Sequence, residues 1–106
     1  MIWRNLSWID VRYEVSDTGL VRSSAQGPAR LLKPNTSNSG YARVRLPVAV
    51  GKFKWFAVHR LALQAFTGVV GEQCNHKNGN RLDNTIANLE WCTMSENMRH
   101  AYRALG

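Results

Sequence analysis

Carboxylates are scarce in this sequence: seven Asp and Glu stand against fourteen Lys and Arg, a formal net charge of +7. Between Thr18 and Arg60 there are eight basic residues and no acidic one, which leaves that stretch without the paired carboxylates of many hydrolytic sites. Cysteine is nearly absent too. Cys74 and Cys92 are too few for a disulfide framework and fit buried thiols in a reducing compartment. No apolar run approaches the roughly 20 residues of a membrane span. The opening residues, Met1 to Asn5, lack the basic-then-apolar layout of a signal peptide. No repeat or low-complexity tract is visible. The expectation is a soluble cytoplasmic protein of one domain, or a tight fusion of two subdomains, with no membrane partner.

The charge that is present is unevenly placed. Residues 1–60 hold ten Lys and Arg against three Asp and Glu; residues 61–106 hold four of each. A basic front half joined to a neutral back half favours a polyanion partner over a merely solvated surface. "YEVSDTGLVRSS" predicts a hairpin with Tyr13 and Val15 before a turn at Ser16–Gly19 and Leu20 and Val21 after it. "GPARLLKPNTSNSG" is expected to be loop. "YARVRL" alternates, with Arg43 and Arg45 opposite Ala42, Val44 and Leu46. After a turn near Pro47–Gly51, "KFKWFAV" puts Lys52 and Lys54 opposite Phe53, Trp55 and Ala57. Paired as a hairpin, the two strands are expected to gather Arg43, Arg45, Lys52 and Lys54 on one face, which a phosphate backbone would neutralise.

Next the period changes. Leu61, Ala62, Ala65 and Phe66 fit one helical face, with Gly68 as the stop. "EQCNH" and "LEWCT" are expected strands, separated by the Asn78-Gly79 turn and a short turn around Asn84–Asn88. Thr93 to Glu96 matches a capping box, so a last helix is expected over about 94–104, with Asn97 in its first turns. Residues 74–101 also concentrate amides and imidazoles: Asn75, Asn78, Asn80, Asn84, Asn88, Asn97, His76 and His100. Amides serve turns and caps, but they are also neutral oxygen donors. A hard cation held between Asn75 and Asn97 would lie beside His76, and a positioned histidine can take a proton from water. Those parts suffice to hydrolyse a nucleic-acid strand.

The stretch "VHRLALQAF…CNHKNGNRLDNTIANLEWCTMSEN" resembles the HNH homing-endonuclease-like family, whose nuclease core is a ββα-metal fold. The front stretch "WIDVRYEVSDTGLVRS…LLKP…GYARVRL" resembles the NUMOD4 module that often precedes that core in phage and intron-encoded nucleases. The resemblance implies an α+β protein: an N-terminal antiparallel β module over residues 1–50, then a ββα-metal (HNH) unit over residues 51–106. It makes His76 the general base and Asn88 the asparagine that ties the loop and so orients it. Asn75 and Asn97 become the ligands of a divalent metal ion, Mg²⁺ or Mn²⁺. Some relatives carry Asp where this chain has Asn75, and two neutral amides bind a cation weakly until a DNA phosphate joins them. The partner is double-stranded DNA, held through Arg22, Lys33, Arg43, Arg45, Lys52 and Lys54, mostly at phosphates. A monomer would nick; a homodimer could cut both strands. A chain ending just past the last helix leads us to expect low or short-range sequence specificity, and the host-cell cytoplasm is the expected location if a phage encodes it.

Duller roles compete at several positions. Lys77 and Arg81 could hold the scissile phosphate or be solvated loop charges. His59, heading a helix, is expected to pack or touch phosphate; His100 is expected to be an exposed helix residue; Asp83 is expected in a turn or cap. Cys74, His76, Cys92 and His100 are spaced unlike usual zinc knuckles, which makes a zinc-stabilised interaction domain a distant alternative. The nearer alternative is a DNA-binding protein that keeps this fold with weak or lost cleavage.

Overall fold

The structure, a computed structural model, describes residues 1–93. The helix expected over 94–104, most of the capping box, Asn97 and His100 lie outside the described residues. Four short strands open the chain as an antiparallel meander: β1 (Trp3–Leu6), β2 (Asp10–Ser16), β3 (Val21–Ser23) and β4 (Arg30–Leu31). The expected hairpin is present as β2 and β3, though Leu20 stays in the turn. That turn is tied by the buried Ser16, whose Oγ accepts from the Leu20 amide at 2.9 Å. Strand β1 was not apparent from sequence. It pairs Trp3–Leu6 with β2 through a bulge at Asn5/Leu6, and only Leu6 of its four residues is fully buried.

The segment expected to be loop holds β4 and another two-residue strand, β5 (Asn35–Thr36). β5 pairs with β6 (Ala42–Ala49), which pairs with β7 (Lys52–Ala57) in a second sheet. β6 continues through Pro47, the hairpin turns at Val50–Gly51, and its register slips between Pro47 and Ala49. The expected boundary at residue 50 falls at the tip of this hairpin.

Helix α1 (Val58–Thr67) follows β7 directly and ends where Gly68, at φ 75°, returns its amide to the Gln64 carbonyl. As the periodicity predicts, Leu61 and Ala62 are buried, with Ala65 and Phe66 packed partly against the core. β8 (Gln73–His76) and β9 (Leu89–Cys92) pair as a two-stranded ribbon, joined by a loop ending in a 3-10 turn at Ile86–Asn88. One core serves every part: Leu6 and Val15 from the first sheet, Val44 and Leu46 from the second, Leu61 to Leu63 from α1 and Leu89 from β9. Each fully buried leucine contributes about 1.5–3 kcal/mol of burial. The architecture is α+β, antiparallel sheets around one helix among the described residues.

Candidate active site

The loop between β8 and β9 uses its amides as struts. Asn88 Oδ1 accepts from the Asn78 amide at 3.0 Å, while Asn88 Nδ2 donates to Asn78 Oδ1 at 3.0 Å and to the Asp83 carbonyl at 2.9 Å. The Asn88 carbonyl also receives the Lys77 amide at 2.8 Å. Asp83 caps the turn: its carboxylate accepts from the Thr85 amide and from Asn78 Nδ2, and the Thr85 hydrogen bonds hold its pKa below the ordinary value. Asn88 therefore ties the loop, as the resemblance implies, but it does not touch the His76 ring.

Asn84 does. Its Oδ1 lies 2.8 Å from His76 Nε2, with both side chains buried at 6% and 5% exposure. A carboxamide oxygen only accepts, so Nε2 is the donor in this contact and Nδ1 is the ring nitrogen left for another partner. Two more rings surround the imidazole: His59 at 5.0 Å and Tyr41 at 5.7 Å between centroids, with Tyr41 and His59 4.9 Å apart. Burial, then the charges of His76 and Arg60, push His59 down to a pKa of about 4, so it stands neutral at pH 7. Its Nδ1 is buried with no hydrogen-bond partner among the described residues. His59 packs, as expected, but against the candidate base itself. Sequence gave no sign of Asn84, His59 or Tyr41 as neighbours of His76, because they arrive from three separate segments.

Asn75 precedes His76 on β8, so alternation sends its side chain to the other face of the ribbon, and a cation held there would lie across the strand from the His76 ring rather than beside it as expected. There Asn75 Nδ2 donates to Glu90 Oε1 at 3.2 Å, which leaves the carboxamide oxygen available. Asn75 with Glu90 beside it is a hard, all-oxygen set that suits Mg²⁺ or Mn²⁺ better than a thiophilic ion. Among the described residues no three His, Cys, Asp or Glu side chains gather where a metal could be held. The zinc alternative fails on register. Cys74 sits opposite Trp91 and Cys92 opposite Gln73, which sends the two cysteines to opposite faces. Cys74 Sγ also donates to the His59 carbonyl at 3.7 Å, and burial raises its thiol to about 11.

The basic face needs correction. Arg45 pairs across the hairpin with Trp55, and Lys54 with Leu46, so arginines and lysines occupy opposite faces. The alternation within each strand is as expected; the register between them is not. Arg43 lies over the Trp55 ring at 4.3 Å and Arg45 over Phe53 at 4.9 Å, with both aromatics about half exposed. The result is an arginine–aromatic surface. Arg22 stacks on Trp3 at 4.0 Å and bonds Glu14 at 2.9 Å. Arg81 covers Tyr41 at 5.2 Å and donates to the Ser39 carbonyl, pinning the turn before β6. Lys33, Lys52, Lys54 and Lys77 are exposed.

Comparison with known proteins places these features. A family model of HNH endonucleases matches residues 56–99, and a model of the NUMOD4 motif matches residues 1–47. Uncharacterized HNH endonuclease L245 of Acanthamoeba polyphaga mimivirus is 38% identical over 101 residues, 93% of this chain and 29% of that protein. DNA endonuclease I-HmuI of Bacillus phage SP01 is 35% identical over 102 residues, 94% of this chain and 57% of that protein. A solved structure described as DNA binding and cleavage by the HNH homing endonuclease I-HmuI superposes with a TM-score of 0.86 at 34% identity, covering 98% of this chain and 59% of that one. The chain thus spans little more than half the length of I-HmuI and under a third of the mimivirus protein. With its front matched to the NUMOD4 motif, its back to HNH endonucleases and its fold to a homing endonuclease, the chain belongs to the HNH homing-endonuclease-like family.

Proposed function

We propose that this chain is a metal-dependent DNA endonuclease that hydrolyses one strand of duplex DNA per active site, with His76 as general base. The observation that carries the reading is the 2.8 Å bond between His76 Nε2 and Asn84 Oδ1, which leaves Nδ1 as the basic nitrogen. Asn84 holds the ring against rotation, Asn88 holds the loop, and His59 and Tyr41 exclude water from the faces of the imidazole. Nδ1 takes a proton from water as the hydroxide attacks phosphorus, and the bond to the leaving sugar oxygen breaks, that oxygen taking a proton from solvent. Asn75 and Asn97 are the proposed ligands of the divalent ion that HNH nucleases generally use. When bound, that ion supplies charge stabilisation at the leaving oxygen.

In this reading the front module, residues 1–50, grips the duplex and the unit over 51–106 cuts it. Arg43 and Arg45, presented with Trp55 and Phe53, make the main contact. Arg22, Lys33, Lys52, Lys54, Lys77 and Arg81 add phosphate contacts around it. A single copy nicks, whereas a double-strand break needs two. No helix among the described residues is long and apolar enough to cross a membrane, and the proposed place of action is the cytoplasm.

The test is nicking of supercoiled plasmid with Mg²⁺ or Mn²⁺ by the wild type and by His76→Ala. We expect relaxed circles from the wild type and a loss of about 10²–10⁴-fold in the variant, with DNA binding retained. Equal null activity in both, with binding intact, would support the DNA-binding alternative.

A further inference from the structure

The front module's first hairpin turn ends against the residue that holds the base. Gly19, in that turn, has φ 86°, and a Cβ built on it would stand 2.5 Å from Asn84 Cβ and 2.9 Å from the Asn84 carbonyl oxygen. The adjacent Asp17 carbonyl receives the Ile86 amide at 2.8 Å, and Asp17 Oδ1 receives the Ile2 amide at 3.1 Å. The turn is itself rigid, because Ser16 Oγ accepts from the amides of Thr18 and Leu20. One rigid turn therefore brackets Asn84 from two sides: bare glycine backbone against its Cβ, and a hydrogen bond two residues further on.

We infer that the Ser16–Leu20 turn is a positioning element for catalysis, fixing Asn84 and through it the tautomer and orientation of the His76 imidazole. The inference rests on His76 being the base. It adds that the front module, besides holding DNA, completes the geometry of the cutting unit. Gly19 and Asp17 are positioning residues, acting through Asn84 and Ile86. The physical reason for glycine is twofold: a left-handed φ that few residues adopt, and an approach closer than any side chain permits.

The experiment separates those two requirements. Asparagine tolerates a left-handed φ but carries a Cβ, so Gly19→Asn isolates the collision. Gly68→Ala is the control: its φ is 75°, yet none of the described residues lies within 4 Å of an added Cβ. In the ¹⁵N-labelled full chain, long-range proton–nitrogen correlation of the His76 ring reports its tautomer directly. The wild type and Gly68→Ala are expected to show the Nε2–H form alone. Gly19→Asn is expected to show mixed tautomers and at least about tenfold slower nicking at saturating DNA, with unchanged DNA affinity.

Should Gly19→Asn fail to fold, Ile86→Pro asks the same question. Thr85, at φ −63° and ψ 134°, already has the extended backbone that precedes proline, and the change deletes the amide given to Asp17. It too is expected to mix the tautomers. A folded Gly19→Asn or Ile86→Pro protein with the wild-type imidazole spectrum overturns the inference. A wild type with the Nε2–H form that never nicks DNA overturns the nuclease reading instead, so the two failures are distinguishable.

Discussion

At the scale of single residues, the candidate base is held by a neutral partner. Asn84→Ala would leave the His76 Nε2–H buried without an acceptor, a cost of about 1–3 kcal/mol that urea unfolding would register. The same change frees the ring, so nicking should fall together with stability. His59 makes a separate prediction. It is neutral in the folded chain down to a pKa of about 4 and ordinary in the unfolded chain at 6.5. Between those values the unfolded state binds the extra proton, so stability declines as the pH falls through that window, on the order of 3 kcal/mol at full effect. Among the described residues Tyr41, His76, Arg60 and Cys74 are the charged or titratable groups beside it. His59→Phe keeps a ring in the stack and should flatten the melting-temperature profile between pH 6.5 and 4; an unchanged slope would mean the burial of His59 is not its source. The candidacy of His76 was legible from "NHKNG" and its neighbours. Asn84 was not, since nothing local distinguishes it from Asn80 or the loop-tying Asn88.

For the elements, the β6–β7 hairpin makes the strongest case. Arg43→Ala and Arg45→Ala should each weaken DNA binding and lower the slope of log affinity against log salt by about 1. Lys52→Ala and Lys54→Ala, on the opposite face, should change that slope less; fluorescence anisotropy at several salt concentrations compares the four. Alternation revealed both strands and their separate faces, because burial on one side imposes a period of two. Pairing remained hidden because register depends on where the hairpin turns. A turn at Val50–Gly51, with a slip at Pro47/Ala49, sets Trp55 rather than a lysine opposite Arg45. The short strands β1, β4 and β5 were illegible for another reason. Two to four mostly exposed residues carry no periodic signal and depend on their neighbours for order.

Across the whole molecule, both halves share one core and meet again where Gly19 and Asp17 abut Asn84 and Ile86. Fold class and module order were legible because the motifs extend over nearly all of the chain; this junction was not, since it joins turns that lie far apart in sequence. The metal prediction also belongs at this scale, because the DNA is expected to complete the site. Asn75 offers a neutral oxygen, so calorimetric titration of the free protein with Mg²⁺ or Mn²⁺ should give weak binding, tightening when an uncleavable duplex is present. Tight binding without DNA would show that charge from Glu90 or elsewhere already completes the site. The central claim, that His76 Nδ1 takes the proton from water, is tested most directly by chemical rescue. His76→Ala should nick plasmid slowly and recover rate as free imidazole is added, since the variant leaves an imidazole-sized space beside Asn84. Wild-type nicking by His76→Ala, indifferent to imidazole, would contradict it.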